Sequence, residues 1–525
     1  MSQSARLKQI RRILSDSQIA AVFESNMPRG GRPRRLSCET VLVGIMLALQ
    51  DQRPAHLTAA YRALVSLGVT DRISLGVSWH EETGISTITY RQFADTHQVM
   101  VRSVDPSPVP SFRGIAPKDR AAYLEELRSA IDSEVALSRL NEVTDSIIEK
   151  SIPLRYRSEV SDLAIDWTDY ETWSRPRAKD DPVPANDCDA SWGHARRNAP
   201  GAVEVLFFGF YAQVATMVAD TGSDPIPELV RRVCFEAPLV DPARVMAETL
   251  VRMSKTISLK IVLCDCGYSN RDPETFAMPL RTAGAQLVMD LHPQDRGQKG
   301  SFEGAVIANG QLYCPATPHS LFELGPLSRG ASKEQSDHHD QMAAELARYK
   351  LSAICRPDQE GYVRVRCPAA GGKVRCTNKP ESLALDGDRP TVAAPDDGVC
   401  RRCCSQKTIT VPPQVAAKTR QLHDYPSREH RLSYQRRTAA ERTYASLSDP
   451  SVGGIRRGWC RLFGRAKNQL MYTLAVVVRN MRIADHFEQN LKTTMLRRSR
   501  RKRQRRYQSD RNSHLGRELP LLHPD

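Results

Sequence analysis

The chain has 525 residues, more than one compact core normally holds, and 40% of them are hydrophobic, which excludes a disordered chain. Lys plus Arg number 75 against 60 Asp plus Glu, a formal charge of +15 that favours a polyanionic partner, nucleic acid before an acidic membrane surface. The opening MSQSARLKQIRRILSDSQIAAVF spreads its charges and has no apolar h-region, so no secretory signal is expected.

Residues 1–105 read as a helical unit. SCETVLVGIMLALQ (37–50) carries a Ser cap before a helical apolar pattern. The basic stretch Arg29–Arg35 precedes it; its glycines argue for an arm, either a solvated linker or a DNA backbone contact. Residues 106–158 read as a Pro-rich linker followed by a helical connector.

Residues 159–291 change texture. SDLAIDWTDY (161–170) is an apolar run ending in acid. Residues 202–220 read as two strands with a bend at Gly209. A helix with an Asp cap (241–253), the apolar run SLKIVLCDCGY (258–268), a second capped helix (272–284) and the strand AQLVMDL (285–291) follow. The order strand-strand-strand-helix-strand-helix-strand predicts an α/β fold, a mixed sheet covered by helices. Residues 292–425, rich in Gly, Pro, Asp and Cys, predict an inserted β-rich module. Two helices, 427–447 and 466–487, close the core within 426–490, and 491–525 is a basic tail. The apolar stretch Leu470–Val478 is too short to span a bilayer and reads as a buried helix.

Asp166 ends one apolar run and Asp265 another, where an unpartnered charge is costly. Carboxylates at the ends of adjacent strands can converge from distant positions and hold two divalent ions for phosphodiester cutting. Tyr434, Arg437 and Glu441, three and four residues apart, share one helical face. There Arg437 could hold a DNA phosphate, and Tyr434 could stack on a base or bond a phosphate. Taken singly, these are ordinary turn, cap and surface residues. Two strand-end aspartates and a helical glutamate, in this order in a strand-rich unit, are the informative combination.

These blocks resemble the insertion-sequence transposases of the DDE superfamily, with an RNase H-like core flanked by helices, an inserted β-rich module and an N-terminal helical domain. LAIDWTDYETW (163–173), IVLCDCGYSN (261–270) and YQRRTAAERTYASL (434–447) with GIRRGWCRLFGRAKNQL (454–470) carry the resemblance, over roughly 160–490. The third block matches the family's Tyr-x2-Arg-x3-Glu pattern at Tyr434, Arg437 and Glu441. A Lys seven residues after the Glu extends that pattern in some relatives; Ser448 stands here. The resemblance implies catalytic Asp166, Asp265 and Glu441 holding two Mg²⁺ or Mn²⁺ ions. It further implies DNA partners (terminal inverted repeats and target DNA), a homodimer on paired ends, and a bacterial, DNA-associated cytoplasmic location with no membrane. Metal-activated water would cut at the element end, and the freed 3′-hydroxyl would attack target DNA. An inactive DNA-binding protein on this scaffold, or a metal nuclease without strand transfer, shares most of these features.

Thirteen cysteines without an export signal speak for metal ligation or core packing rather than disulfides. Cys400 and Cys403 form a CxxC that suits tetrahedral Zn²⁺, with Cys367 and Cys376 completing a structural set. Cys264 and Cys266 flank Asp265 as packing residues, and His338-His339 read as solvated surface. The run Arg497–Arg506 reads as a disordered segment adding nonspecific DNA affinity. Arg456, Arg457, Trp459 and Lys467, after Glu441, are candidate grips for a DNA end, though core packing is the plainer role for Trp459.

Overall fold

The computed structural model describes all residues except 1, 29, 31–33, 78–86, 179–180, 196–204, 329, 394, 396–398, 400 and 516–525, and only the backbone over 495–515. It is an α/β protein built on a six-stranded mixed sheet. The strands are β1 (Val160–Glu171), β2 (Ser191–Ala195), β3 (Val205–Val218), β4 (Val230–Glu236), β5 (Ser258–Cys264) and β6 (Gln286–Met289). They run β2-β3-β1-β5-β6, with β4 also on β3. β3 is antiparallel to β1, β2 and β4, whereas β1, β5 and β6 are mutually parallel.

The two strands expected over 202–220 are not seen in the part described, Val205–Val218. β3 is continuous, and Gly209 serves close packing: a Cβ there would lie 2.0 Å from the Tyr170 carbonyl oxygen on β1. β4 (VRRVCFE) escaped the sequence reading because it carries two arginines. Arg231 and Arg232 are buried and bond Glu149 on the Ser133–Ser151 helix at 2.9 and 3.2 Å. Burial alone would raise the Glu149 carboxyl, but the two guanidiniums outweigh it and hold it low. The charges are thus satisfied by residues some 80 positions away.

One face of the sheet shares a core with the N-terminal helices. Leu42 and Met46, Phe93, and Ile147 pack with Phe210, Val214, Val230 and Phe235, and with Leu470, Leu474 and Val477 of the last helix. Two expected caps are present, Ser37 accepting from the Thr40 N–H and Asp241 from the Ala243 N–H, whereas the capped helix expected over 272–284 is only Ala277–Thr282 and has no side-chain cap. The last helix runs Arg465–Leu515, so the backbone of the basic run Arg497–Arg506 is helical rather than disordered. The long, mostly apolar first half nucleates a helix that Lys- and Arg-rich sequence continues without a breaker. No helix among the described residues is long and apolar enough to cross a membrane.

The segment after β6 contains three small sheets, as the composition predicts. It also contains a capped helix, Lys333–Arg348, that was not expected. This helix overturns the solvated reading of His339, which is buried between the Gly325 carbonyl and Arg431. Of the basic arm, positions 29 and 31–33 lie outside the described residues; Arg34 and Arg35 are exposed.

Candidate active site

Alternation along β1 sends Leu163 and Ile165 to one face, into a core with Met246 and Leu250. Asp162, Ala164 and Asp166 face the other way. The Thr438–Ser448 helix lies on that side, its Ala439 and Ala440 packed on Ala164, Leu263 and Val288. Two alanines let the helix come close to the strands. Asp166 is not the end of β1, which runs on to Glu171, but it lies past the last residue paired with β5, Ala164. Asp265 directly follows β5 and caps the short turn of helix Cys266–Ser269, accepting from the Gly267 N–H at 3.0 Å. The two acids therefore sit at the same end of neighbouring parallel strands.

Arg437 reaches them from the helical side. Its guanidinium bonds Asp166 Oδ2 at 3.2 Å and also pairs with Glu441. The expected single helix 427–447 is instead Arg428–Tyr434, a 3-10 turn Gln435–Arg437, and Thr438–Ser448. The backbone stays right-handed through the turn, so Arg437 and Glu441 still share a side. Arg436 uses the same turn to bond buried Asp162 at 2.6 Å. The Tyr444 hydroxyl donates to the main-chain oxygens of Asp166 and Ala212, at 2.6 and 3.0 Å. Arg436, Asp162 and Tyr444 went unnoticed in the sequence; the spacing of Arg436 from Arg437 was the available signal.

Burial, then the charge of Asp265, pushes the Asp166 carboxyl up to about 7 against the pull of Arg437. Asp265 is also raised, first by burial, with Arg437 and the Gly267 and Tyr268 N–H groups opposing. Glu441 is half-exposed. Carboxylates crowded beyond what one guanidinium neutralises are a donor set that suits hard divalent cations. As they stand, no three His, Cys, Asp or Glu side chains among the described residues are placed to hold an ion. Arg437 instead lies between Asp166 and Glu441.

The wall of the site is aromatic. Trp167 packs edge-on to buried Tyr268 with ring centroids 4.4 Å apart, and the Tyr268 hydroxyl bonds Gln213 at 3.0 Å. A Cβ on Gly267 would meet Trp167 Cη2 at 2.6 Å and Asp265 Oδ1 at 3.0 Å. Gly267→Ala should therefore cost about 1–3 kcal/mol by overpacking and shift Asp265; thermal melting of the purified variant checks it, and an unchanged midpoint would contradict this reading. Tyr444→Phe should cost about 1 kcal/mol through the lost hydrogen bonds, read by urea denaturation.

The remaining expected residues divide. Arg456 and Arg457 are exposed, and Arg457 lies 3.8 Å from Glu171. Arg461 stacks over the ring of Trp173, itself 42% exposed, at 4.8 Å. Two candidate DNA contacts are not on the surface, Lys467 against expectation and Trp459 in line with the plainer core-packing role. Trp459 is buried in the core, and Lys467 is buried within the field of Asp105, Asp187 and Asp189. These acids come from the end of the N-terminal unit and the loop before β2, so the cluster is invisible in local sequence. Asp187 and Asp189 accept from the Gly464 and Arg465 N–H groups, at 3.0 and 2.8 Å, pinning the start of the last helix. Tyr434 also departs from the expected base platform: it stacks on His430 and flanks Arg437. Cys264 is fully buried, as a packing residue should be, and none of the described cysteines forms a disulfide. Of the expected zinc set, Cys367, Cys376 and Cys403 are buried, and Cys400 lies outside the described residues. The chain matches no family model and no curated protein.

Proposed function

We propose that the chain is a DDE-type DNA transposase with an RNase H-like catalytic core, cutting DNA at element ends and joining them to target DNA. The observation that carries this reading is the meeting of Asp166 and Asp265 at one end of parallel strands, with Arg437 and Glu441 arriving from the helix across them. With the short β2 set aside, the element order strand-strand-strand-helix-strand-helix-strand, closed by a helix, also supports it.

Asp166, Asp265 and Glu441 would hold Mg²⁺ or Mn²⁺. The bound ions would activate the attacking water or 3′-hydroxyl and stabilise the leaving oxygen. Arg437 offsets part of the repulsion between the crowded carboxylates, and would turn to a DNA phosphate once cations neutralise them. Arg456, Arg457 and the Arg461–Trp173 pair offer exposed charge and a ring face to a DNA strand running past Glu171. The excess of basic residues fits binding of terminal repeats and target, by two copies on paired ends, in a bacterial cytosol.

Strand transfer separates a transposase from a nuclease. A duplex ending in the inverted repeat that flanks the gene, with its 3′-hydroxyl exposed, is incubated with supercoiled plasmid and Mg²⁺. Covalent joining is expected; cutting without joining would favour the nuclease. Metal affinity should rise with pH, by about tenfold per unit, until Asp166 has lost its proton near pH 7. Calorimetric titration with Mn²⁺ checks this, and an affinity flat between about pH 5 and 7 would contradict it.

A further inference from the structure

The inserted module contains five cysteines that converge although they lie far apart in sequence. Cys314 follows the strand Gln311–Tyr313, Cys367 follows Val363–Arg366, Cys376 ends Arg375–Cys376, and Cys403 and Cys404 lie in the helical turn Arg402–Ser405. All five line one cavity of about 10 Å³, room for a single water-sized body. We propose that Cys314, Cys367, Cys376 and Cys403 form a structural zinc site that ties the small sheets of this module together.

Three observations carry the assignment. The first is local backbone. Cys314 and Cys367 are each followed by proline, and Cys314, Cys367 and Cys376 each open a tight turn, their carbonyls accepting from Thr317, Gly371 and Lys379. These turns fix the backbone on which the Cys314, Cys367 and Cys376 sulfurs are carried to the cavity.

The second is distance. Tetrahedral Zn–S bonds of about 2.3 Å put sulfurs about 3.8 Å apart. Cys403 and Cys404 have their sulfurs 3.9 Å apart, so the helical turn offers the cavity two alternative sulfurs within one such spacing of each other. Cys403 is the more buried of the two and is taken as the ligand. The third is charge. Four thiolates around one Zn²⁺ leave two negative charges, and the buried Lys379 lines the same cavity with its ammonium on the Ser405 carbonyl. Binding releases four protons, one from each thiol.

The sulfurs are not yet gathered around one point. An ion would draw them inward by side-chain rotation, with the turns already set. The gain is structural. Cys314, Cys367 and Cys376 belong to one small core and Cys403 to another, and neither is large enough to hold such short strands alone. Cys314 was not among the cysteines expected from sequence, because it precedes the others by more than 50 residues.

The inference does not rest on the transposase reading. Full-length protein is loaded with Zn²⁺, dialysed against a weak chelator, and its metal measured by mass spectrometry. About one zinc per chain is expected in the wild type and in Cys355→Ser, an exposed cysteine off the cavity. Loss of the ion is expected in Cys314→Ser and Cys376→Ser. Should these variants fail to fold, Co²⁺ titrated into chelator-stripped wild type replaces them. Tetrahedral d–d bands with strong thiolate-to-cobalt charge transfer are then expected. No zinc in the wild type, full zinc in Cys314→Ser, or an octahedral cobalt spectrum would overturn the proposal and leave the five sulfurs as packing groups.

Discussion

Asp166→Asn should lower metal-dependent DNA cleavage by on the order of a thousandfold, with DNA binding retained. The amide keeps the size of the side chain and its bond from the Trp167 N–H, but removes one anionic oxygen from the cation site. Charge stabilisation by bound metal contributes several kcal/mol to phosphoryl transfer, and each 1.36 kcal/mol is about tenfold in rate. The substitution also removes the carboxyl that burial pushes up to about 7. The metal-free variant should therefore be at least as stable as the wild type near neutral pH, which separates loss of chemistry from loss of fold. Single-turnover cleavage and a thermal melt on the same preparation check both halves. A variant that cuts at the wild-type rate removes Asp166 from the mechanism.

Arg437→Ala should have the largest effect on stability, about 3–5 kcal/mol near neutral pH. Arg437 is 13% exposed at its side chain and Asp166 17%, so their bond is little screened by solvent. Without the guanidinium, Asp166 and Asp265 face each other with no cation. The pH dependence follows from the sign of the Asp166 shift. Its folded value, about 7, lies above the ordinary 3.8, so the folded chain keeps a proton that the unfolded chain releases. Stability from that proton is present at low pH and is lost as pH rises from about 4 to 7. Removing Arg437 raises the carboxyl further and widens the window. The deficit of the variant should thus shrink at about pH 5 and shrink again when Mg²⁺ is added at neutral pH. Equal deficits at both pH values, measured by urea denaturation, would mean that Arg437 acts through packing alone. Arg437→Lys should not restore the wild type, because one ammonium cannot fork to Asp166 and Glu441 together.

The parts of this molecule legible in its sequence are those with local causes. Apolar runs ending in acid placed Asp166 in one strand and Asp265 just past its parallel neighbour, and caps at Ser37 and Asp241 placed helix starts. The i, i+4 spacing placed Arg437 with Glu441. What was missed has distant causes. β4 was hidden because Arg231 and Arg232 are neutralised by Glu149 and Asp145, on another element. Lys467 looked like a surface cation because the three acids whose charges act on it lie far off in sequence, at 105, 187 and 189. Trp459, set among arginines in sequence, was a candidate DNA grip with core packing as its plainer role, and its ring is buried. The exposed ring is Trp173, one residue past the first acidic block's TrpThrAspTyrGluThr stretch, paired with Arg461. Cys314 joins Cys367 and Cys376 only through the packing of the module.

The central claim is most directly tested with a labelled duplex that carries the inverted repeat flanking the gene, incubated with Mg²⁺ or Mn²⁺ and either wild type or Glu441→Gln. Glu441 is half-exposed, so its amide leaves the fold intact. The account predicts metal-dependent cutting by the wild type, none by the variant, and equal binding by both. A well-folded wild type that binds these ends and does not cut them with either metal would contradict it, leaving a DNA-binding protein on a catalytic scaffold.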